Sequence, residues 1–334
     1  MTRSSDLPAP SHRRAYRFAQ LGGFLLLVGL TDASGAIGQE RADAASGEDS
    51  SSVAEHASDL RVVLITGSTD GLGREVARRV AATGAHVIIH GRNVERGKAL
   101  VEEINREGPG TARFYAADFA SLDQVRDFAH EIRLDYDRLD VLVNNAGIWL
   151  DGPDRRLSDD GYELTFQVNY LSGFLLTRLL LPLLLESAPS RIINVSSIAQ
   201  RPIDFDDVML EHGYSSSRAY AQSKLAQIMF TFDLADELKN TGVIVEALHP
   251  ATMMDTHMVL SRGAQPRSSV EEGVEAVLHL IEAPNLKSGQ YFNQMEPARA
   301  NDQAYDRGAQ VRLRRLSGDL TGAPMVSLRE EVDR

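Results

Sequence analysis

From Arg61 onward, short apolar runs alternate with segments whose apolar residues recur at helical spacing, and few architectures satisfy that alternation. Arg61–Thr66, His86–His90, Arg113–Asp118, Asp140–Asn144, Arg191–Ser196, Val243–Leu248 and Gln290–Phe292 read as buried strands. Between them, one helix follows Gly73 through Val80 and another spans Val94–Arg106. Leu122, Val125, Phe128, Ala129 and Ile132 mark a third. Strands alternating with helices of about 10–15 residues pair as right-handed βαβ units. The spacing therefore predicts an α/β fold, a doubly wound parallel sheet of about seven strands, as a single domain over residues 59–334. A long helix is predicted over Tyr162–Glu186. Its apolar stretch Tyr170–Leu185 is interrupted by Arg178 and Pro182 and flanked by strands, so it reads as a buried covering helix with a share in a dimer interface rather than a membrane span.

Residues 1–58 have a different texture. Arg3, Arg13, Arg14 and Arg17 precede an apolar run from Leu21 to Leu30, then small residues at Ala33–Ala36 and a polar stretch rich in Ser, Ala, Asp and Glu. Basic, apolar, small is the order of an export signal, and Arg13-Arg14 is twin-arginine-like. The run is shorter than the roughly 20 residues that span a bilayer. Export, or membrane association through residues 13–30, is favoured over a disordered extension, a misassigned start or a purely cytoplasmic protein. A net charge of -12 argues against a nucleic-acid partner. The absence of cysteine removes disulfides and thiolate chemistry, and the nine histidines show no metal-ligand spacing.

Two motifs carry chemistry. Thr66-Gly67-Ser68-Thr69-Asp70-Gly71-Leu72-Gly73 lies at the first strand-to-helix turn, where glycines admit a pyrophosphate to the backbone N–H groups of a helix N-terminus. The second strand ends His90-Gly91-Arg92-Asn93, without the carboxylate that binds a free ribose 2′-hydroxyl. Arg92 favours a 2′-phosphate, hence NADP(H) over NAD(H). Tyr220 and Lys224, four residues apart, share one helix face, where an ammonium favours the phenolate. Tyr214 and Arg218 repeat the spacing, but a guanidinium has no tunable pKa.

In this order the motifs resemble the short-chain dehydrogenase/reductase family over residues 61 to 322. To the glycine turn are added Asp118 with Phe119 beside it, Asn144-Asn145-Ala146-Gly147, Asn169, Ser197, and the Tyr220/Lys224 pair. Ala117–Leu122, the long gap from Ser197 to Tyr220, and the tail from Gly289 to Gly322 are similar to the retinol-dehydrogenase-like subgroup. The resemblance implies a Rossmann-type fold and an oxidoreductase acting on a small, hydrophobic carbonyl/alcohol substrate. It makes Tyr220 the general acid/base, Lys224 the group that lowers its pKa and holds the nicotinamide ribose, Ser197 the donor to the substrate oxygen, and Asn169 the holder of a relay water. The implied cofactor contacts are Thr66, Gly67, Ser68, Asp70, Gly71, Leu72, Gly73, Arg92, Asp118, Phe119, Asn145, Ala146, Gly147, Pro250 and Thr252, together with Tyr220 and Lys224.

Further implications are a substrate lid over residues 252–269, rich in Met, and a homodimer through the helices carrying Asn169 and Tyr220. Two departures stand out. His249-Pro250-Ala251 replaces the family's Pro-Gly, and Arg314 or Arg315 stands where a tail aromatic is common, which puts the substrate mouth in question. An NAD-preferring enzyme keeps the same fold. A non-catalytic dinucleotide sensor or scaffold would need a broken catalytic set, and this one is intact.

Overall fold

Both faces of the central sheet are covered, which is why the central strands Val62–Ile65 and Val141–Asn144 are buried throughout. The structure, a computed structural model, describes residues 60–325; the export and membrane-association readings of residues 1–58 lie outside the described residues. The strands are β1 (Val62–Ile65), β2 (His86–Gly91), β3 (Thr111–Ala116), β4 (Val141–Asn144), β5 (Ser190–Val195), β6 (Val243–His249), β7 (Gln290–Asn293) and β8 (Glu296–Pro297). They form one sheet in the order β3-β2-β1-β4-β5-β6-β7-β8, parallel except for the two-residue β8. Strand order reverses between β1 and β4, so the crevice beyond their carboxyl ends is where a dinucleotide site is expected.

Among the described residues, eight helices take their places around it. On one face α1 (Gly71–Ala81) and α2 (Val94–Glu107) pack with α7 (Val270–Glu282) against Val63, Ile65, Val87 and Ile89. On the other, α3 (Leu122–Asp135), α4 (Leu164–Glu186) and α5 (Ser216–Glu237) pack against Val62, Leu64, Ile88 and Leu142. Alternate residues of β1 thus feed the two cores. The short α6 (His257–Leu260) lies beyond β6, and α8 (Arg307–Thr321) lies near the end of the described chain.

Helix α4 is long and apolar enough to cross a membrane, yet 78% of its apolar window is buried inside the domain. It is a core helix, as expected. Its outward side and that of α5 are met by α8: Tyr170 Oη lies 2.7 Å from Ser317 Oγ, and Arg314 and Arg307 reach the buried Asp233 of α5 at 3.0 and 2.8 Å. Arg314 is therefore a clamp between helices, remote from any substrate mouth.

The structure departs from the spacing in three places. Strand β3 runs Thr111–Ala116 because β2 sets its register, pairing His86 with Thr111 and Gly91 with Ala116. Ala117 and Asp118 thereby lie past the end of the strand. Residues Gln167–Leu171 form a π-helical turn inside α4, where buried Gln167 bonds Asp160 at 2.7 Å and the wider turn carries Asn169. Strand β8 is too short to leave a periodic signal.

Glu246, in the middle of β6, is fully buried, and both its carboxyl oxygens lack a hydrogen-bond partner among the described residues. Desolvation raises its pKa from 4.5 to about 7, with Arg191 offsetting only part. The folded state holds a proton that the unfolded chain releases near 4.5, so this stabilisation is complete below that value and lost as pH rises through about 7. Full ionisation corresponds to at most about 3 kcal/mol. Glu246→Gln should therefore melt several degrees above wild type at pH 8.5, with the gap narrowing by pH 5.5. Parallel melting curves across that range would refute it.

Candidate active site

Beyond the carboxyl ends of β1, β4, β5 and β6 lies a cavity of about 650 Å³. The turn after β1 forms its floor. Gly67 has φ +64°, and a Cβ there would stand 2.8 Å from the Ala146 Cα. At Gly73 a Cβ would meet Asn145 Nδ2 at 2.4 Å and Gly67 O at 2.6 Å, so only glycine lets α1 approach this closely. Asp70 caps α1, accepting from the Gly71 N–H at 2.8 Å, and its other oxygen takes Arg96 at 2.8 Å.

Two residues of the turn act behind it. Thr66 Oγ1 accepts from the backbone N–H groups of Asn145 and Ala146, both at 2.9 Å, and Asn145 Nδ2 donates to Thr66 O at 2.8 Å. Ser68 Oγ donates to Ile65 O at 2.7 Å. Both are buried and neither lines the cavity, so their side chains hold the turn's shape. Of the residues expected to contact a cofactor, Gly67, Asp70, Gly71, Leu72, Gly73, Arg92, Phe119, Asn145, Ala146, Gly147, Pro250 and Thr252 line the cavity. Asp118 does not. Its carboxylate accepts from Ala120 N at 3.0 Å and stands 3.6 Å from Arg92, whose side chain is 66% exposed.

His90 supports the same end and was not singled out by its sequence position. Its Nδ1 accepts from Gly67 N at 3.1 Å, so Nε2 carries the proton and donates to Ala117 O at 3.2 Å. Burial lowers its pKa to about 4, which keeps the ring neutral, and it stacks on Phe119 at 4.3 Å.

At the other end, α5 brings Tyr220 and Lys224 to one face. Ser197, just past β5, lines the cavity beside Tyr220, and its Oγ accepts from Ala199 N at 3.1 Å. Lys224 Nζ donates to Val195 O at 2.8 Å and Gln227 Oε1 at 3.0 Å, leaving one donor for the cavity it lines. Burial lowers its pKa to about 7. Burial also raises the Tyr220 pKa, with Ser197 the opposing influence. The expected lowering by Lys224 is absent, since Nζ stands 5.6 Å from the ring centroid and the dry surroundings dominate.

Asn169 stands behind the cavity rather than in it. Its Oδ1 accepts from Ile148 N at 2.7 Å, while Nδ2 donates to Ile148 O at 3.0 Å and Ser223 Oγ at 3.0 Å. Both amide protons are engaged, so the side chain's first task is to bracket the 145–151 loop. That loop supplies Trp149, whose ring stacks on Tyr220 at 5.2 Å and which the sequence reading passed over. On the far wall, His249 Nε2 lies 2.9 Å from Thr252 Oγ1, with burial and then Lys224 lowering the imidazole pKa to about 4. Met253, Met254, Met258 and Val259 of the 252–269 segment close that side, and Thr256 lines it with them. Tyr214 does not line the cavity, and Arg218 binds Asp204 and loop carbonyls.

Comparison with known proteins agrees with this geometry. The family model described as short chain dehydrogenase matches residues 61–267. Human Retinol dehydrogenase 14 is 36% identical over 292 residues, covering 78% of this chain and 86% of that protein. Human Retinol dehydrogenase 11 is 36% identical over 278 residues, covering 79% and 87%. A solved short chain dehydrogenase from Escherichia coli CFT073, complexed with NADPH, superimposes with a TM-score of 0.59 at 29% identity, covering 70% of this chain and 96% of that one.

Proposed function

The chain belongs to the short-chain dehydrogenase/reductase family, retinol-dehydrogenase-like, and is an NAD(P)-dependent oxidoreductase of alcohol and carbonyl groups; from that premise we propose that it uses NADP(H) to reduce a hydrophobic carbonyl substrate. The observation that carries the reading is the convergence of Ser197, Tyr220 and Lys224 on the cavity whose other end is the glycine turn.

The cavity fits a dinucleotide. Gly67 and Gly73 line it where close packing on Asn145 and Ala146 admits no side chain, the N-terminus of α1 lies at the same end, and Lys224 retains one N–H for a ribose hydroxyl. Bound there, the nicotinamide would supply or accept the hydride. As the carbonyl carbon is reduced, its oxygen becomes an alkoxide. Ser197 donates a hydrogen bond to that oxygen, and Tyr220 gives it the phenolic proton. The raised Tyr220 pKa keeps the phenol protonated at neutral pH, the form a proton donor needs. Lys224 orients the ribose and carries charge near the phenol below about pH 7. Asn169 serves by fixing the 145–151 loop.

NADP(H) is favoured by Arg92, which lines the cavity at the end of β2 and is held only loosely by Asp118. Turnover of a panel of aldehydes and ketones with NADPH and NADH tests the reading. Arg92→Ala should reduce the preference for NADPH by about 10- to 100-fold, the loss of one or two charge-assisted hydrogen bonds. An unchanged preference would remove Arg92 as the phosphate ligand. The Met-rich wall and Trp149 support a hydrophobic substrate.

A further inference from the structure

The Tyr220 ring is walled by Trp149, and Trp149 is itself held from the opposite strand connection. Arg262, just past α6, places its guanidinium 3.9 Å from the Trp149 ring centroid. Its Nη1 also donates to Leu150 O at 2.6 Å, to Trp149 O at 3.2 Å, and lies 2.6 Å from the Asp151 carboxylate. The loop is fixed from below as well, because Ser216 at the start of α5 donates to Leu150 O. The Trp149 indole N–H, by contrast, is buried and has no partner among the described residues. The orientation of this ring therefore depends on what lies against its faces, Tyr220 and Arg262. A planar guanidinium is suited to the task, since it can stack on an aromatic ring and bind several acceptors at once.

We propose that Arg262 is a positioning residue for the reaction: it latches the 252–269 segment across the cleft onto the 149–151 loop and, through Trp149, fixes the wall against which Tyr220 and the substrate lie. The proposal rests on the reading of Tyr220 as proton donor. Substrate bound beside Tyr220 is retained by the Met-lined segment, and the latch is the polar contact that ties that segment to the opposite wall. Arg262 is not part of the nucleotide end of the cavity, so its removal should act on substrate rather than on cofactor.

Trp149 is the single tryptophan of the chain, so tryptophan emission reports on the surroundings of this ring. Arg262→Gln should raise KM for the carbonyl substrate about tenfold with a smaller change in kcat, leave the NADPH dissociation constant within about twofold of wild type, and shift Trp149 emission to longer wavelength as the ring gains water. Arg262→Lys keeps the charge without the fork and should restore both readouts in part. Asp151→Asn, at a side chain 62% exposed, should give a weaker change in the same direction and decides the matter if Arg262→Gln does not fold. The emission shift should persist when Arg262→Gln is made on a Tyr220→Phe background, which separates the latch from the identity of the proton donor. An emission shift with unchanged KM would remove the functional role, and a raised KM without an emission shift would remove Trp149 as the intermediary.

Discussion

Tyr220→Phe is expected to lower carbonyl reduction by about 10³-fold, within the range for loss of a positioned proton donor, while NADPH binding stays close to wild type. Phenylalanine keeps the ring that stacks on Trp149 at 5.2 Å, so the wall of the cleft survives and only the hydroxyl is removed. The residual rate would come from Ser197 and from binding, which still hold and polarise the carbonyl. Turnover undiminished by the substitution would refute the assignment of Tyr220. The structure also changes why the phenol should work. From spacing alone, Lys224 would be expected to draw the phenol's pKa toward neutrality. Instead burial raises it, and Lys224 commits two of its three donors to Val195 O and Gln227. A phenol protonated at pH 7 is in the form a donor needs, while the phenolate that would act as base is scarce. Initial rates at neutral pH should accordingly favour reduction over alcohol oxidation, with oxidation gaining as pH rises.

The sheet was legible because its central strands had to be apolar on both faces, a pattern local to the residues involved. The turn Thr66–Gly73 and the Tyr220/Lys224 pair were legible because their spacing along the chain is their geometry. What escaped is what depends on contacts between distant segments. His90 reads as a strand residue, yet its neutral ring joins Gly67 on one side to Ala117, 27 residues further along the chain, on the other. Asn169 was found by its order among motifs, but its grip on Ile148 follows from the π-helical turn, which no apolar period encodes. Thr66 and Ser68 belong to the glycine turn by sequence and turn out to brace it from behind. Arg262 had no local signal at all; 113 residues separate it from the Trp149 carbonyl it binds. Trp149 carried one available hint, its place two residues past the Asn-Ala-Gly turn that lines the cavity.

Gly73→Ala should weaken NADPH binding by about 100-fold, because the added methyl group acts on the cradle from inside. Its nearest neighbours would be Asn145 Nδ2 at 2.4 Å and Gly67 O at 2.6 Å, and neither is the free end of a flexible chain. Asn145 Nδ2 is held by Thr66 O and Gly67 O, so moving it disturbs the start of the glycine turn. The alternative relief is for α1 to back away from the turn, which withdraws the helix N-terminus from the position a pyrophosphate would take. Either response costs the same contacts. Gly108→Ala is the control, since a Cβ there meets nothing nearer than 3.8 Å and the site is remote from the cavity. That variant should bind NADPH as wild type does. Titrating both variants by quenching of Trp149 emission gives the comparison directly. Equal affinities would mean that the turn after β1 is a structural bend and that the dinucleotide, if bound, lies elsewhere.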